Sequence, residues 1–366
     1  MTQNDKIVFF VNSLDSGGIE NYLLRFLKEN HSNFKNIYVY CKSGKGGQLE
    51  NAYSEIINLV IIKKEIGFFN YRNTMSLNSF FVDNEISSVC DFTGNFSGLV
   101  LLVAHKAGIH KRVAFYRSST NRFKSDIFRN SYDRLVKMMV KKYATDILSN
   151  SKAGLDYFFS KYWENDSRFE IIKNGINAEL FLKESGNLRQ EFSIPDTAFV
   201  VGHTGRYNPA KNHKTILSVA EILVKNYDDI YFILCGNGVK NNLQDILKTK
   251  KLDSRILVFE NRSDISKFLN TMDCYFFPSI TEGQPNALIE AMMIGLPYVA
   301  SNIESIKETV LDLKNLYNPK DIDSFVKALE LNYKNRPQKN VLYQQQVIEK
   351  FDADKCFNAF YERLFI

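Results

Sequence analysis

"CYFFPSITEGQPNALIEAMMIGLPYVAS", residues 274–301, holds two apolar runs with a short helical pattern between them. Neither "CYFF" nor "YVAS" alternates polar with apolar, so each reads as a strand buried on both faces. Pro285 forbids an earlier helix start, Asn286 is a good cap for "ALIEAMMIG", Gly295 closes that helix and Pro297 prevents its extension. Strand, helix, strand in this order describes a parallel pair joined by a crossover. Ligands of such folds sit beyond the carboxyl ends of the strands. There the chain places two glutamates, Glu282 and Glu290, eight residues apart.

The same alternation extends toward the N-terminus. "AFVVGHTG" (198–205), "IYFILCG" (230–236) and "ILVFE" (256–260) read as strands with helical patterns between them. A separate series precedes them: "IVFFV" (7–11), "IYVYC" (37–41), "INLVII" (57–62), "SSVCDF" (87–92), "RVAFY" (112–116) and "DILSN" (146–150). After the first of these, Ile19, Tyr22, Leu23, Phe26 and Leu27 fall on one helix face. Two series predict an α/β protein of two doubly wound, Rossmann-like parallel-sheet domains. The length, 366 residues, also exceeds one ordinary core. Strand character is lost over about 175–197, which sets an N-terminal domain at 1–178 and a C-terminal one at 179–344. The last stretch, "VLYQQQVIEKFDADKCFNAFYERLFI", reads as helix.

Apolar and charged fractions of 45% and 24% are those of a folded soluble protein. The cysteines, at 41, 90, 235, 274 and 356, form an odd set without C-x-x-C and read as reduced core residues of a cytosolic chain. No leader is expected, since "MTQNDK" leads straight into a strand. No apolar run approaches the roughly 18 residues that span a bilayer. The net charge is +6, yet residues 111–144 alone carry ten Lys or Arg against two Asp, interleaved with Phe and Tyr. This stretch is either a solvated helix face or a basic aromatic surface suited to an anionic leaflet. Nucleic acid is not expected, because no recognition motif accompanies the charge.

Three loops follow strands. "NSLDSGGIE" (12–20) puts Gly17 and Gly18 before a helix, either as a plain turn or as a close approach of backbone to an anion. It is neither G-x-G-x-x-G nor a Walker A loop. "GRYNPAKNHKTIL" (205–217) places Gly205 at a strand end, then the fork of Arg206 and the point charge of Lys211. These are either solvated cations or anion ligands. In the third loop, Glu290 near a helix start is partly compensated by the macrodipole. Glu282 has no such compensation and needs donors, which a pair of sugar or ribose hydroxyls supplies.

"EGQPNALIE" is an E-x7-E motif, and with it the chain resembles glycosyltransferase family 4, retaining enzymes of the GT-B fold. "SLDSGGIE", "ILSNS", "IIKNGIN" (171–177), "GRYNPAKN", "FILCGNG" and "NRSDISKFLNTMDCYFFPS" are similar to family segments in order and spacing. The resemblance runs over nearly the whole chain, strongest from 198 to 310 and weakest over about 40–90. It implies two Rossmann-like domains facing a central cleft, with the last helix, about 345–366, packed back on the first domain. The implied activity is retaining, metal-independent transfer of a sugar from a nucleoside-diphosphate sugar, UDP- or GDP-linked, without a cofactor. The acceptor would be a glycan or lipid-linked glycan in O-antigen, capsule or exopolysaccharide synthesis. The implied place is the cytoplasm, peripheral at the inner membrane face through the basic 111–144 region.

The resemblance also assigns residues. Arg206 and Lys211 would hold the diphosphate, Glu282 would lie by the transferred sugar, and Glu290 would bind the ribose hydroxyls. The turn of Gly283, Gln284, Pro285, Asn286 and Ala287 would meet the sugar, and Gly17 and Gly18 the phosphate. Gly205, Gly236, Asn237 and Ile265 would flank the nucleotide. Many members carry a His after the strand matching "RVAFY". Here Tyr116 and Arg117 stand instead, so Arg117, Ser118 or Asn121 would take its place. Asp91, Thr93, Asn95, Tyr116, Arg117 and Asn121 are thus the expected sugar or acceptor contacts. No metal site is expected. Asp321/Asp323 and Asp352/Asp354 open C-terminal helices as caps, and the five His show no ligand spacing. A glycosidase would use two carboxylates as well, but Arg206 and Lys211 would be wasted on a neutral glycan. The alternatives are a GT-B nucleotide-sugar epimerase or a non-catalytic partner subunit, toward which the missing His points.

Overall fold

The computed structural model describes residues 5–67, 71–120, 127–183 and 186–365. The chain forms two compact units, Met1–Gly175 with Asp354–Ile366, and Ile176–Ala353.

The first unit is built on a seven-stranded parallel sheet. Its strands are β1 (Lys6–Val11), β2 (Asn36–Cys41), β3 (Leu59–Lys63), β4 (Ser88–Asp91), β5 (Lys111–Tyr116), β6 (Asp146–Ser149) and β7 (Phe169–Ile171), in the order β3-β2-β1-β4-β5-β6-β7. The second has six: β8 (Phe199–Thr204), β9 (Ile230–Cys235), β10 (Ile256–Phe259), β11 (Cys274–Phe277), β12 (Tyr298–Ser301) and β13 (Leu316–Tyr317), in the order β10-β9-β8-β11-β12-β13. All ladders are parallel. Every residue of β8, β11 and β12 is buried, which is why their sequences do not alternate. Both units are the doubly wound, Rossmann-like domains expected of a GT-B fold. In each sheet the strand order reverses once, between β1 and β4 and between β8 and β11. A ligand crevice opens at the carboxyl ends of such strand pairs.

Several boundaries differ from expectation. Strands β7 and β13, with three and two residues, are too short to leave a pattern. The division falls at 175/176 rather than 178/179, because Ile176 lies in the second unit's core and its N–H donates to the Phe351 carbonyl at 3.0 Å. The C-terminal stretch is two helices, Val341–Lys350 and Ala353–Glu362. The first stays with the second unit: Tyr343 Oη meets Tyr298 Oη at 3.2 Å, and Gln344 Nε2 donates to the Met293 carbonyl at 2.8 Å. The second packs Phe357 on Tyr22 (ring centroids 5.6 Å) and Phe360 on Phe26 (4.7 Å) in the first unit. The return therefore begins at Asp354 rather than near 345.

Candidate functional site

At the β8/β11 switch point the chain leaves β8 through Gly205 and Arg206 and turns on Asn208, whose Oδ1 accepts from Lys211 N at 3.1 Å. Asn212, left-handed at φ 57°, then opens the helix His213–Asn226. Its Nδ2 donates to the carbonyls of Pro278 (3.0 Å) and Pro319 (2.9 Å), and Ile280 N donates to the Ala210 carbonyl at 2.8 Å. These bonds stitch the Lys211 turn to the loop after β11, which carries Glu282. Lys211 Nζ meets Glu282 Oε1 at 2.7 Å, with side chains only 17% and 12% exposed. Nζ also stands 4.6 Å over the Phe277 ring. Arg206 is exposed beside this pair in sequence.

Close contacts surround two glycines, from side chains at Gly205 and from backbone at Gly236. A Cβ at Gly205 would lie 3.2 Å from the Lys211 stem, and one at Gly236 would overlap the Gly205 carbonyl. The Asn237 carbonyl accepts from Tyr207 N at 2.9 Å. Glu260, just past β10, accepts from Gly238 N (2.7 Å) and Asn241 N (3.1 Å) and so caps the helix Val239–Thr249. Sequence reading missed this role; the signal was an acid at a strand end facing a Gly-rich turn. Ile265 opens the helix Ile265–Asn270 and packs on the core.

Glu290 is the fifth residue of the helix Asn286–Met293, past its first turn. Pro285 is the N-cap and Asn286 is the first helical residue rather than the cap. The macrodipole therefore compensates Glu290 less than the sequence reading supposed. Burial pushes the Tyr275 phenol well up, and Glu290 and Glu282 push it further, so both carboxylates bear on one buried group. Tyr275 Oη bonds Thr204 Oγ1 at 2.7 Å. Pro285 is buried, and Gly283, Gln284 and Ala287 are half-buried. His203 and His213, read as scattered, stand ring against ring behind Gly205.

In the first unit, Gly17 caps the helix Gly18–Asn30 in extended conformation (φ −139°), and nothing lies within 4 Å of a Cβ built on Gly18. That N-terminus is open to a close approach. Around the β4 end the expected sugar or acceptor contacts make bonds within the unit. Asp91 is completely buried and its oxygens are taken internally: Oδ2 by Lys42 Nζ (3.0 Å), Oδ1 by Thr93 N (2.8 Å) and Thr93 Oγ1 (2.6 Å). Lys42 Nζ also reaches Thr93 Oγ1 and the Phe96 carbonyl. Asn95 is committed at both ends, its Oδ1 to Tyr116 Oη (2.8 Å) and its Nδ2 to Asp133 (2.9 Å). Asp91, Asn95 and Tyr116 are thus internal, because each buried polar group needs an internal partner and has found one. Thr93 is half-buried in the same network. Arg117 is 8% exposed with its guanidinium carbon 3.7 Å over the Tyr22 ring, and burial pulls its pKa down to about 10. Asn121 lies outside the described residues.

Among the described residues no three His, Cys, Asp or Glu converge as metal ligands, and no helix is long and apolar enough to cross a membrane. Asp321 caps its helix, its Oδ1 accepting from Ser324 N at 3.0 Å. All five cysteines are buried and none is in a disulfide.

Residues 184–347 match the family model of glycosyl transferases group 1. The match contains Arg206, Lys211, Glu282 and Glu290 and lies within the second unit. Over 210 residues the chain is 27% identical to the O-antigen biosynthesis glycosyltransferase WclY of Escherichia coli, covering 56% of this chain and 58% of that protein. Over 174 residues it is 32% identical to an E. coli UDP-Gal:alpha-D-GlcNAc-diphosphoundecaprenol alpha-1,3-galactosyltransferase, covering 44% of each. The chain thus spans about half the length of these curated relatives. Among solved structures, Anabaena HepE in complex with UDP and glucose is similar over 98% of this chain and 99% of that one, with a TM-score of 0.78 at 18% identity. That likeness extends over both units and shows the fold.

Proposed function

We propose that this protein is a glycosyltransferase that moves a sugar from a UDP- or GDP-sugar to a glycan or lipid-linked glycan in cell-surface polysaccharide synthesis. The observation that carries this reading is the enclosed pair of Lys211 and Glu282 at the β8/β11 switch point, built from segments 71 residues apart. A cation and a carboxylate side by side suit a ligand bearing both phosphate and hydroxyl groups. The relatives named for O-antigen synthesis and galactosyl transfer, and a neighbour solved with UDP, support the same substrate class.

In this reading the leaving diphosphate gains negative charge as the anomeric carbon becomes cationic. Arg206, Lys211 and the N-terminus of the helix His213–Asn226 stabilise that charge without a metal ion. Glu282 lies beside the sugar and Glu290 grips the ribose. Retention of configuration rests on the E-x7-E resemblance. The helix Ile127–Tyr143 exposes Arg134, Lys141 and Lys142 together with Leu135 (40%) and Met138 (58%). Such a mixed face supports contact with an anionic leaflet, at about 1 kcal/mol per cation near the surface.

The test is donor consumption by the purified chain, with UDP- and GDP-sugars, in the presence and absence of lipid-linked glycan, together with flotation on anionic vesicles. Consumption of neither donor class would remove the function, and no flotation would remove the membrane contact.

A further inference from the structure

His203 and His213 have no part in the reaction described above. His203 is the fifth residue of β8 and fully buried; His213 opens the helix His213–Asn226 and is 4% exposed. Their rings meet edge to face, with centroids 5.3 Å apart. His203 Nδ1 lies 2.9 Å from the Phe276 carbonyl. A carbonyl only accepts, so Nδ1 carries the proton and Nε2 is bare. Among the described residues, neither that Nε2 nor either ring nitrogen of His213 finds a hydrogen-bond partner. Three buried imidazole nitrogens without partners are unusual in a core and call for a reason.

The pair sits directly behind the anion-facing surface. A Cβ on Gly205 would lie 3.0 Å from His203 Nε2 and 3.2 Å from Lys211 Cδ and Cε, so imidazole and lysine stem converge on one point of backbone. The Phe277 ring stacks on His203 (5.7 Å) and lies under Lys211 Nζ (4.6 Å). Among the described residues the groups facing the pair are few. Lys211 comes from the turn after β8, with Glu282 bound to it from the loop after β11. Tyr275 of β11 lies 6.3 Å from His203, and Tyr207 lies 5.1 Å from His213. Burial first, and then the charge of Lys211, keep His213 neutral down to about pH 4. His203 is held well below its usual range by burial, by His213 and by Lys211.

A diphosphate docked on Lys211 and Gly205 reverses the sign of the field at this enclosed spot, where charges are weakly screened. We propose that binding of a nucleoside-diphosphate sugar beside Lys211 is coupled to uptake of a proton from solvent by the His203–His213 pair. The imidazolium so formed adds positive charge behind the departing diphosphate, and the proton returns to solvent when the nucleotide leaves. Both histidines are positioning residues, since neither touches the reacting atoms. This inference rests on the function proposed above.

The experiment is calorimetric titration of the full chain at about pH 6.5, where a histidine of ordinary pKa is half-charged, in two buffers of unlike ionisation enthalpy. The probe is UDP-glucose or GDP-mannose, whichever raises the melting temperature. Such a diester has no phosphate proton titrating nearby, so any uptake belongs to the protein. The expected result is unequal heats equivalent to about 0.5–1 proton per ligand, with affinity falling as pH rises. His213→Asn is expected to bind with equal heats in both buffers and with an affinity flat in pH. Equal heats for the wild type would overturn the inference and leave the function standing. Unequal heats persisting in both His213→Asn and His203→Asn would overturn it by assigning the proton elsewhere. Binding of neither probe would overturn the functional reading, and this inference with it.

Discussion

Lys211 Nζ and Glu282 Oε1 stand 2.7 Å apart in an almost closed pair, although the two residues enter it from different loops. The pair gives Lys211 a fixed position, from which the proposed function has it face a phosphate. Lys211→Ala is expected to leave Glu282 less well satisfied, at a cost of about 1–3 kcal/mol. That is too little to unfold a domain of ordinary stability. Transfer is expected to fall by more than about 100-fold, as for removal of one preorganised charge at a developing anion. Wild-type turnover in this variant would take the phosphate role away from Lys211.

Glu290, one turn inside its helix, lies within electrostatic reach of the same buried phenol as Glu282. If it grips ribose hydroxyls, Glu290→Ala loses charge-assisted hydrogen bonds of about 1.5–3 kcal/mol. Nucleotide affinity is then expected to drop about 10- to 100-fold, with the melting temperature of the free protein unchanged. Titration with UDP and GDP reads this directly, and unaltered affinity would place the ribose elsewhere.

The second unit was legible because its strands are unbroken apolar runs, and because Gly205, Pro285, Gly295 and Pro297 punctuate them visibly. The loops after those strands are thereby marked out, and Lys211 and Glu282 are charges that stand in them. The first unit's site was less legible for a physical reason. A polar residue at a strand end looks the same in sequence whether it faces a ligand or a hidden partner. Asp91 pairs with Lys42, forty-nine positions away, and Asn95 with Tyr116 and Asp133, so the partners were invisible locally. The meeting of the two histidines is hidden likewise: His203 and His213 are ten positions apart, and the turn at Asn208–Asn212 folds them together.

The Asp91–Lys42 assignment is itself testable. Both side chains are enclosed, 0% and 10% exposed. Removing one partner of a buried pair costs about 3–5 kcal/mol, so Asp91→Ala is expected to lower unfolding stability by that amount in urea titrations. A loss below about 1 kcal/mol, accompanied by weaker acceptor binding, would return Asp91 to the ligand-binding set.

In the proposed mechanism, charge stabilisation by Arg206, Lys211 and a helix end needs no divalent ion. Full turnover is therefore expected after dialysis against EDTA, measured by nucleotide release. Strict dependence on added Mg²⁺ or Mn²⁺ would contradict the mechanism, and would direct attention to carboxylates that the proposed chemistry leaves unused.

Stability of the ligand-free protein should depend on pH through the buried histidines. In the folded chain His213 titrates at about 4, against about 6.5 for an exposed imidazole. As pH falls below 6.5 the unfolded chain takes up the proton first, so protonation favours unfolding. The stability from the neutral ring is fully present above about 6.5 and is lost between there and about 4, on the order of 3 kcal/mol in total. His203, held low by the same burial, acts in the same direction. Urea titrations at intervals over this range are expected to show falling stability with a slope that His213→Asn reduces. An unchanged slope in that variant would mean that His213 is already charged, or is exposed, in the free protein.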